Sequence, residues 1–200
     1  MENIIFDLGG VILDVDFSAT EQAFEDLGIE NFSQYFTPLK QQALFEHLEL
    51  GIVELDNFYQ AFRELTHSQL TNQQIEEAWN QMITHFDSKR MALLEALAER
   101  YNIYLFSNTN AIHVKCFEAR CQLEMGQPLS HYFREIYYSN KLYLRKPSVE
   151  SFRKVLNLSG LKASDTLFID DNIDNINGAQ AAGLQTLHLQ FPQTILDLEF

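Results

Sequence analysis

The chain has 200 residues, 46% of them hydrophobic and 21% charged, which is the composition of an ordinary folded protein with one domain or one domain plus an insertion. Its net charge of −14 argues against nucleic acids and anionic membranes as partners, since both are polyanions. A small phosphorylated ligand remains compatible with this charge, because one cationic site or one bound metal ion acts locally.

The first residues, the lengths of the apolar runs and the cysteines bear on where in the cell the protein is expected. The first apolar run begins within a few residues of Met1, and no apolar run approaches the length of a membrane span. Cys116 and Cys121 are the only cysteines, and their spacing is a weak signal for a metal site or a disulfide. We therefore expect a cytoplasmic protein with reduced thiols. The sequence does not indicate an oligomeric state.

The first predicted strand is Ile4-Ile5-Phe6, which ends at Asp7. Such residues favour a buried strand, and a carboxylate at its carboxyl end lies where open α/β sheets bind ligands. Gly9 and Gly10 follow, and glycine allows a backbone to approach a ligand closely. A plain turn after a strand uses the same residue types, so this stretch does not decide between the two interpretations.

From about residue 17 to 87 the sequence predicts helices throughout, one of them opened by Pro38. Aromatic residues at helical spacing indicate the core of a small helical bundle rather than a cofactor site. A few residues of this block are candidates to face a substrate: Phe17, Tyr35, Phe36, Phe45, His47 and Glu49.

After residue 87, helices and strands alternate, with strands predicted at 103–106, 136–138, 167–169 and 186–189. This alternation predicts a parallel sheet joined by right-handed crossovers. The helical block interrupts the alternation and is therefore expected to be an insertion.

Four predicted strands end in polar residues: Asp7, Ser107-Asn108, Ser139-Asn140 and Asp170-Asp171. The carboxyl ends of parallel strands share one edge of a sheet, so we expect these groups to converge. Carboxylates such as Asp7 and Asp171 would repel each other without a cation between them. Mg²⁺, which prefers oxygen ligands and leaves room for phosphate, suits such a site.

The same strand ends offer groups for phosphoryl chemistry. Ser107 and the amides after it are candidates to hold phosphate oxygens, Lys146 to neutralise charge, and Asp7 to act as a nucleophile. Each residue alone has a plainer explanation, such as helix capping or surface exposure. Together, and in this order along the chain, they predict a phosphate and metal site.

The sequence resembles the haloacid dehalogenase-like (HAD) hydrolase superfamily. Its four motifs occur in family order within residues 1–16 and 88–200, and residues 17–87 take the place of the family's C1 cap. The motifs are Ile5-Phe6-Asp7-Leu8-Gly9-Gly10-Val11, Leu105-Phe106-Ser107-Asn108-Thr109, Arg145-Lys146-Pro147, and Phe168-Ile169-Asp170-Asp171-Asn172 with Asn175 and Ala181-Ala182-Gly183. They are most similar to the branch that includes bacterial α-glucose-1-phosphate phosphatase and the N-terminal domain of soluble epoxide hydrolase.

The resemblance implies an α/β fold, with a Rossmann-like parallel sheet of strand order 5-4-1-2-3 and an inserted α-helical C1 cap. It implies that Asp7 is the nucleophile and Lys146 the charge-neutralising residue. Substrate or phosphate contacts are implied for Ser107, Asn108, Gly9 and Gly10. Mg²⁺ ligands are implied for Asp7, the backbone carbonyl of Gly9, and Asp171. Residues implied to support these ligands are Asp170, Asn172 and Asn175.

One position departs from the family. Most phosphatases of this superfamily have a second Asp two residues after the nucleophile, and here that position is Gly9. The backbone contact to the metal is retained, but the usual general acid and base is missing. Acid–base catalysis of this kind typically raises the rate about 10²–10⁴-fold. This predicts slow turnover or good leaving groups such as anomeric sugar phosphates. Asp14 or Asp16 would substitute if the turn after the strand folds back.

Three interpretations follow. The first is a Mg²⁺-dependent phosphatase that hydrolyses a small phosphomonoester, similar to a sugar phosphate, through an aspartyl-phosphate intermediate. The second is a weak or inactive relative that binds a phosphorylated ligand or partner, which Gly9 favours. The third is a haloacid dehalogenase, in which Asp7 attacks carbon. That reaction does not need Mg²⁺, so the acidic pair Asp170-Asp171 argues against it.

Overall fold

A computed structural model describes residues 1–36 and 43–200 of the chain. The strands are β1 (Asn3–Phe6), β2 (Leu13–Val15), β3 (Ile83–Phe86), β4 (Asn102–Ser107), β5 (Glu135–Tyr138), β6 (Thr166–Asp170) and β7 (Gln185–His188). The helices are α1 (Phe17–Asp26), α2 (Ala43–Glu49), α3 (Leu55–Thr66), α4 (Asn72–Trp79), α5 (Ser88–Ala98), α6 (Ala111–Met125), α7 (Ser139–Leu142), α8 (Val149–Ser159) and α9 (Ile173–Ala181). Pro38, the predicted helix start, lies outside the described residues. Within these ranges, no helix is both long and apolar enough to cross a bilayer.

Five strands form a parallel sheet in the order β5-β4-β1-β6-β7. The strand β1 lies at the centre, where Asn3 pairs in register with Asn102 on one side and Thr166 on the other. Numbered along the chain as the five predicted strands and counted from the β7 edge, the order is 5-4-1-2-3. The predicted α/β fold is confirmed.

Both faces of the sheet are buried, as the unbroken apolar run of β1 requires. Ile4 and Phe6 belong to the core that contains Leu94 of α5 and Phe117 of α6. Ile5 points to the opposite face, where the second core contains residues of α8 and α9. The period of two along a strand therefore places alternate side chains of β1 in two separate cores.

The segment from α1 to α4, termed here the helical insertion, has an aromatic core. The rings of Phe24 and Phe32 stack at 4.2 Å, and those of Phe45 and Trp79 stack at 4.8 Å. Apolar packing is continuous from these rings to the core on one face of the sheet. This packing stabilises the insertion and holds it against the rest of the chain.

The prediction of helix throughout residues 17–87 is wrong for the last part of that range. Ile83–Phe86 forms β3, which pairs antiparallel with β2 through Leu13↔Phe86 and Val15↔Ile83. The two crossings between the sheet and the helical insertion therefore lie side by side in a short two-stranded ribbon.

Candidate active site

A cavity of about 720 Å³ lies at the carboxyl edge of the central sheet, between the sheet and the helical insertion. The sheet side contributes polar residues at the carboxyl ends of β1, β4 and β6, namely Asp7, Ser107 and Asp171. The insertion contributes aromatic and acidic side chains, including Phe36 and Glu49. Three of the four polar strand ends predicted from the sequence therefore meet at one partly enclosed cavity, whereas Ser139-Asn140 is not part of its described lining.

Lys146 lies between two carboxylates. Its side chain is only 1% exposed, and its Nζ lies 2.7 Å from Oδ1 of Asp7 and 2.7 Å from Oδ2 of Asp170. The rings of Phe106 and Phe168 lie 5.4 and 5.3 Å from the same ammonium group. Burial lowers the pKa of Lys146, but the two carboxylates outweigh burial and raise it, so the lysine stays charged.

Three carboxylates surround this end of the cavity. Asp7, Asp170 and Asp171 offer oxygen atoms that lie within 4.8 Å of one another. Burial raises the pKa of Asp7 to about 7, with a further increase from the carboxylates of Asp170 and Asp171, while Lys146 opposes the change. Burial and Asp170 also raise the pKa of Asp171. The single positive charge of Lys146 therefore does not neutralise the three carboxylates.

This donor set fits a hard divalent cation. The cluster consists of carboxylates from two strand ends, and oxygen ligands are those that Mg²⁺ prefers. A cation between Asp7 and Asp171 would lower the pKa of both acids, because it favours their ionised forms.

The loop after β1 passes directly against one of these acids. Gly10 has a φ of +74°, and a Cβ there would lie 2.2 Å from Oδ2 of Asp171. Only glycine therefore allows the loop to come this close. At Gly9 a Cβ would lie 3.1 Å from Cγ2 of Val15, so Val15 crowds the position at which the family resemblance implies an aspartate.

Residues around Asp170 hold it in place. The backbone N–H of Asn172 donates to Oδ1 of Asp170 at 2.8 Å, and the side-chain amide of Asn175 lies 3.1 and 3.0 Å from its two oxygens. The side chain of Asn172 also caps the start of α9. The structure thus places Asp170, Asn172 and Asn175 where they orient Lys146 and the end of β6.

Asn108 contacts the segment of Lys146. Its Nδ2 donates to the backbone carbonyl of Lys146 at 2.9 Å, and its Oδ1 accepts from the backbone N–H of Lys146 at 2.9 Å. The sequence predicts a phosphate contact at Asn108. In the structure, both polar atoms of its side chain instead join the loop after β4 to the loop that carries Lys146. Ser107 is buried and lines the cavity.

The two acids considered as substitutes for an acid at Gly9 have other partners. Asp14 pairs with the buried Arg90 at 2.7 Å, and Asp16 caps the N-terminus of α1. Their neighbours Val15 and Phe17 are among the described residues lining the cavity, whereas neither acid is.

Three of the candidates in the helical insertion line the cavity: Phe17, Phe36 and Glu49. Phe45 instead stacks on Trp79 in the core of the insertion. Tyr35 and His47 are also absent from the described lining, and His47 is exposed to solvent.

Sequence reasoning does not single out His113, which also lines the cavity. Its Nε2 lies 3.2 Å from the backbone carbonyl of Trp79, and its Nδ1 lies 3.2 Å from Nδ2 of Asn110. The carbonyl needs a donor and the amide needs an acceptor, so the neutral Nε2–H tautomer satisfies both. Burial lowers the pKa of His113 to about 4.

We expect this histidine to make the protein sensitive to acid. The unfolded state takes up a proton near pH 6.5 and the folded state near pH 4, so stability is lost as the pH falls through this range. The loss attributable to His113 is about 2 kcal/mol between pH 7.5 and pH 5. Urea unfolding at both pH values should show a smaller loss for His113→Gln than for the wild type. The exposed His131, changed to Gln, is the control, and equal losses in both variants would contradict the assignment.

The chain matches the family model of the haloacid dehalogenase-like hydrolases over residues 1–183. It belongs to this family and is therefore a hydrolase. It is 32% identical to the D-ribitol-5-phosphate phosphatase of Bacteroides thetaiotaomicron over 189 residues. The matched residues make up 93% of this chain and 90% of that protein. It is 26% identical to a sesquiterpene phosphatase of Aspergillus oryzae over 92% of this chain and 88% of that protein.

Solved structures agree with this assignment. A HAD family enzyme of Bacteroides thetaiotaomicron, crystallised with magnesium and inorganic phosphate, matches with a TM-score of 0.89 at 30% identity over 96% of both chains. The L-2-haloacid dehalogenase of Xanthobacter autotrophicus matches with a TM-score of 0.64 at 17% identity, over 94% of this chain and 77% of that one. The second match shows a shared fold alone.

Proposed function

We propose that the protein is a Mg²⁺-dependent phosphatase that hydrolyses a small phosphomonoester, of the sugar phosphate kind, through a phosphoryl group carried by Asp7. The observation that carries this proposal is the meeting of Asp7, Lys146 and the pair Asp170-Asp171 at one cavity. Both comparisons support it, because a relative is named as a D-ribitol-5-phosphate phosphatase and a similar solved structure contains magnesium and inorganic phosphate.

The metal would be held by the carboxylates of Asp7 and Asp171 and by the backbone carbonyl of Gly9. When bound, it supplies positive charge against the phosphoryl oxygens. The imbalance of charge at the site supports this assignment, because a phosphate dianion would otherwise enter a cluster of three carboxylates with a single ammonium group.

Asp7, Lys146 and Ser107 would each have a separate role in this reaction. A carboxylate oxygen of Asp7 bonds to phosphorus, the bond from phosphorus to the ester oxygen breaks, and the departing alcohol takes that electron pair and a proton from water. Lys146 fixes the Asp7 side chain and offsets charge on the phosphoryl group. The Ser107 hydroxyl and backbone N–H groups after β4 hold its oxygens, except the N–H of Thr109, which donates to the Ser139 hydroxyl at 2.9 Å. Water then attacks phosphorus, which releases inorganic phosphate and restores the Asp7 carboxylate.

We expect Gly9→Asp combined with Val15→Ala to raise kcat for alkyl phosphates by about 10²-fold, because it supplies an acid for the leaving oxygen. The second substitution makes room, since Val15 crowds this position. Hydrolysis of p-nitrophenyl phosphate should gain less, because its leaving group needs no proton and the new carboxylate can help only as a base for the attacking water. Val15→Ala alone is the control. A similar gain on both esters would show that the added carboxyl acts in some other way.

The deciding experiment is phosphate release from sugar phosphates and p-nitrophenyl phosphate, with Mg²⁺ and with a chelator. Binding is measured separately as the rise in Tm on adding MgCl₂, which Asp171→Asn should remove. A folded protein that binds Mg²⁺ but releases no phosphate would favour the alternative, a relative that binds a phosphorylated ligand without turnover. Gly9 is the feature that makes this alternative worth testing.

A further inference from the structure

A second group of charged side chains lines the same cavity. Nη2 of Arg145 lies 3.1 Å from Oε2 of Glu49, and its Nη1 lies 3.8 Å from Oε1 of Glu46. The side chains of Arg145 and Glu49 are 26% and 14% exposed, so this pair is largely removed from bulk water. The ion pair joins the segment between α7 and α8, which carries Arg145, to α2 of the helical insertion.

The backbone holds this group in place. The hydroxyl of Ser139 donates to the backbone carbonyl of Glu49 at 2.7 Å. Two residues further on, Gly51 has a φ of +66°, and a Cβ there would lie 2.0 Å from the backbone oxygen of Asn140. The carboxyl end of α2 therefore packs tightly against α7, which fixes the backbone position from which the Glu49 side chain reaches Arg145.

Arg145 and Lys146 are consecutive, yet they contact different partners around one cavity. Lys146 contacts the nucleophile and Asp170, whereas Arg145 contacts acids of the helical insertion. Much of the remaining lining from β2, β3 and the insertion is apolar: Leu13, Val15, Phe17, Phe36, Met82 and Ile83. Among the residues that the structure describes, polar contacts to a leaving group on the insertion side are thus concentrated at the charged group of Arg145, Glu46 and Glu49.

We infer that the charged group of Arg145, Glu46 and Glu49 binds hydroxyl groups of the leaving alcohol, so that the preferred substrate is the phosphate ester of a polyhydroxylated chain. A hydroxyl both donates and accepts, and can therefore bond to a carboxylate and a guanidinium side by side. An alkyl chain would lie against these charges without offering them any hydrogen bond, which is costly. The inference rests on the proposed function and names the substrate class for it.

The first test uses the wild-type protein and two esters of equal chain length. We expect kcat/KM for ribitol 5-phosphate to exceed that for pentyl phosphate, which lacks the hydroxyls, by about 10- to 100-fold. Equal values for the two esters would overturn the inference and leave the proposed function intact. If the wild type hydrolyses neither ester nor p-nitrophenyl phosphate, or if Asp7→Asn hydrolyses them as well as the wild type, the proposed function itself fails.

The second test assigns the preference to these residues. Glu49→Gln and Arg145→Met should each lower the ratio of the two kcat/KM values at least 10-fold, mainly through KM for ribitol 5-phosphate. Arg153→Met is the matched control, because Arg153 forms an exposed ion pair with Glu150 at 2.9 Å and should leave the ratio unchanged. An unchanged ratio in folded Glu49→Gln and Arg145→Met proteins would overturn the assignment.

Discussion

Asp7→Asn is expected to lower kcat for phosphate ester hydrolysis by ~10⁴-fold or more, because the proposed covalent step loses its nucleophile. The same variant should remain folded, with a Tm equal to or above that of the wild type. Asp7 is a buried acid whose pKa is raised to about 7 by burial and by two neighbouring carboxylates. A neutral amide removes that repulsion, and Lys146 keeps its contact with Asp170. Residues that serve chemistry often lower stability in this way.

The measurement pairs phosphate release with thermal unfolding at pH 7.5, on wild type and variant prepared in parallel. Asp14→Asn is the matched control, since Asp14 lies nearby in β2 but pairs with Arg90 and does not line the described cavity. It should keep its turnover. Retained turnover in Asp7→Asn would exclude Asp7 as the nucleophile, and a Tm several degrees lower would show that the acid stabilises the fold.

Lys146→Met should have the opposite effect on stability. Removing the ammonium group leaves Asp7 and Asp170 buried without their shared positive partner, which typically costs about 3–5 kcal/mol in the free energy of unfolding. Hydrolysis should also be lost. Urea unfolding at pH 7.5 measures the first effect.

Two further variants separate this explanation from simple loss of packing. Lys115→Met removes an exposed lysine, 80% accessible and 3.5 Å from Glu76, and should change stability by no more than about 0.5 kcal/mol. Lys146→Met combined with Asp170→Asn should recover part of the lost stability, because it removes one of the uncompensated charges. If the free energy of unfolding of the double variant is lower than that of Lys146→Met by as much as Asp170→Asn alone lowers it in the wild type, the lost charge pairing is not the cause.

The convergence of the site could be predicted because it depends on topology. Once the sequence indicates parallel strands, the residues that follow them must share an edge, so Asp7, Ser107 and Asp171 were expected together. That reasoning needs only the order of short apolar runs. It does not need to know which helix packs against which.

Features that depend on distant partners could not be predicted. Trp79, Met82, Ile83 and Phe86 follow the spacing of a helix, yet the last two belong to β3 because β2 supplies a strand partner far earlier in the chain. The ion pair of Arg145 with Glu49 likewise joins remote segments, and local sequence around either residue carries no signal of the other.

The central position of β1 has a consequence for how the protein is made. This strand is synthesised before the other strands of the sheet, and its neighbours begin only at residues 102 and 166. One of its hydrogen-bonding edges therefore stays unpaired until β4 has been made and the other until β6 has been made, while its apolar side chains remain uncovered, which favours aggregation and slow folding. Since Asp7 follows this strand directly, and Ser107 and Asp171 lie at the ends of its two neighbours, recovery of catalysis after dilution from denaturant should require both pairings of β1.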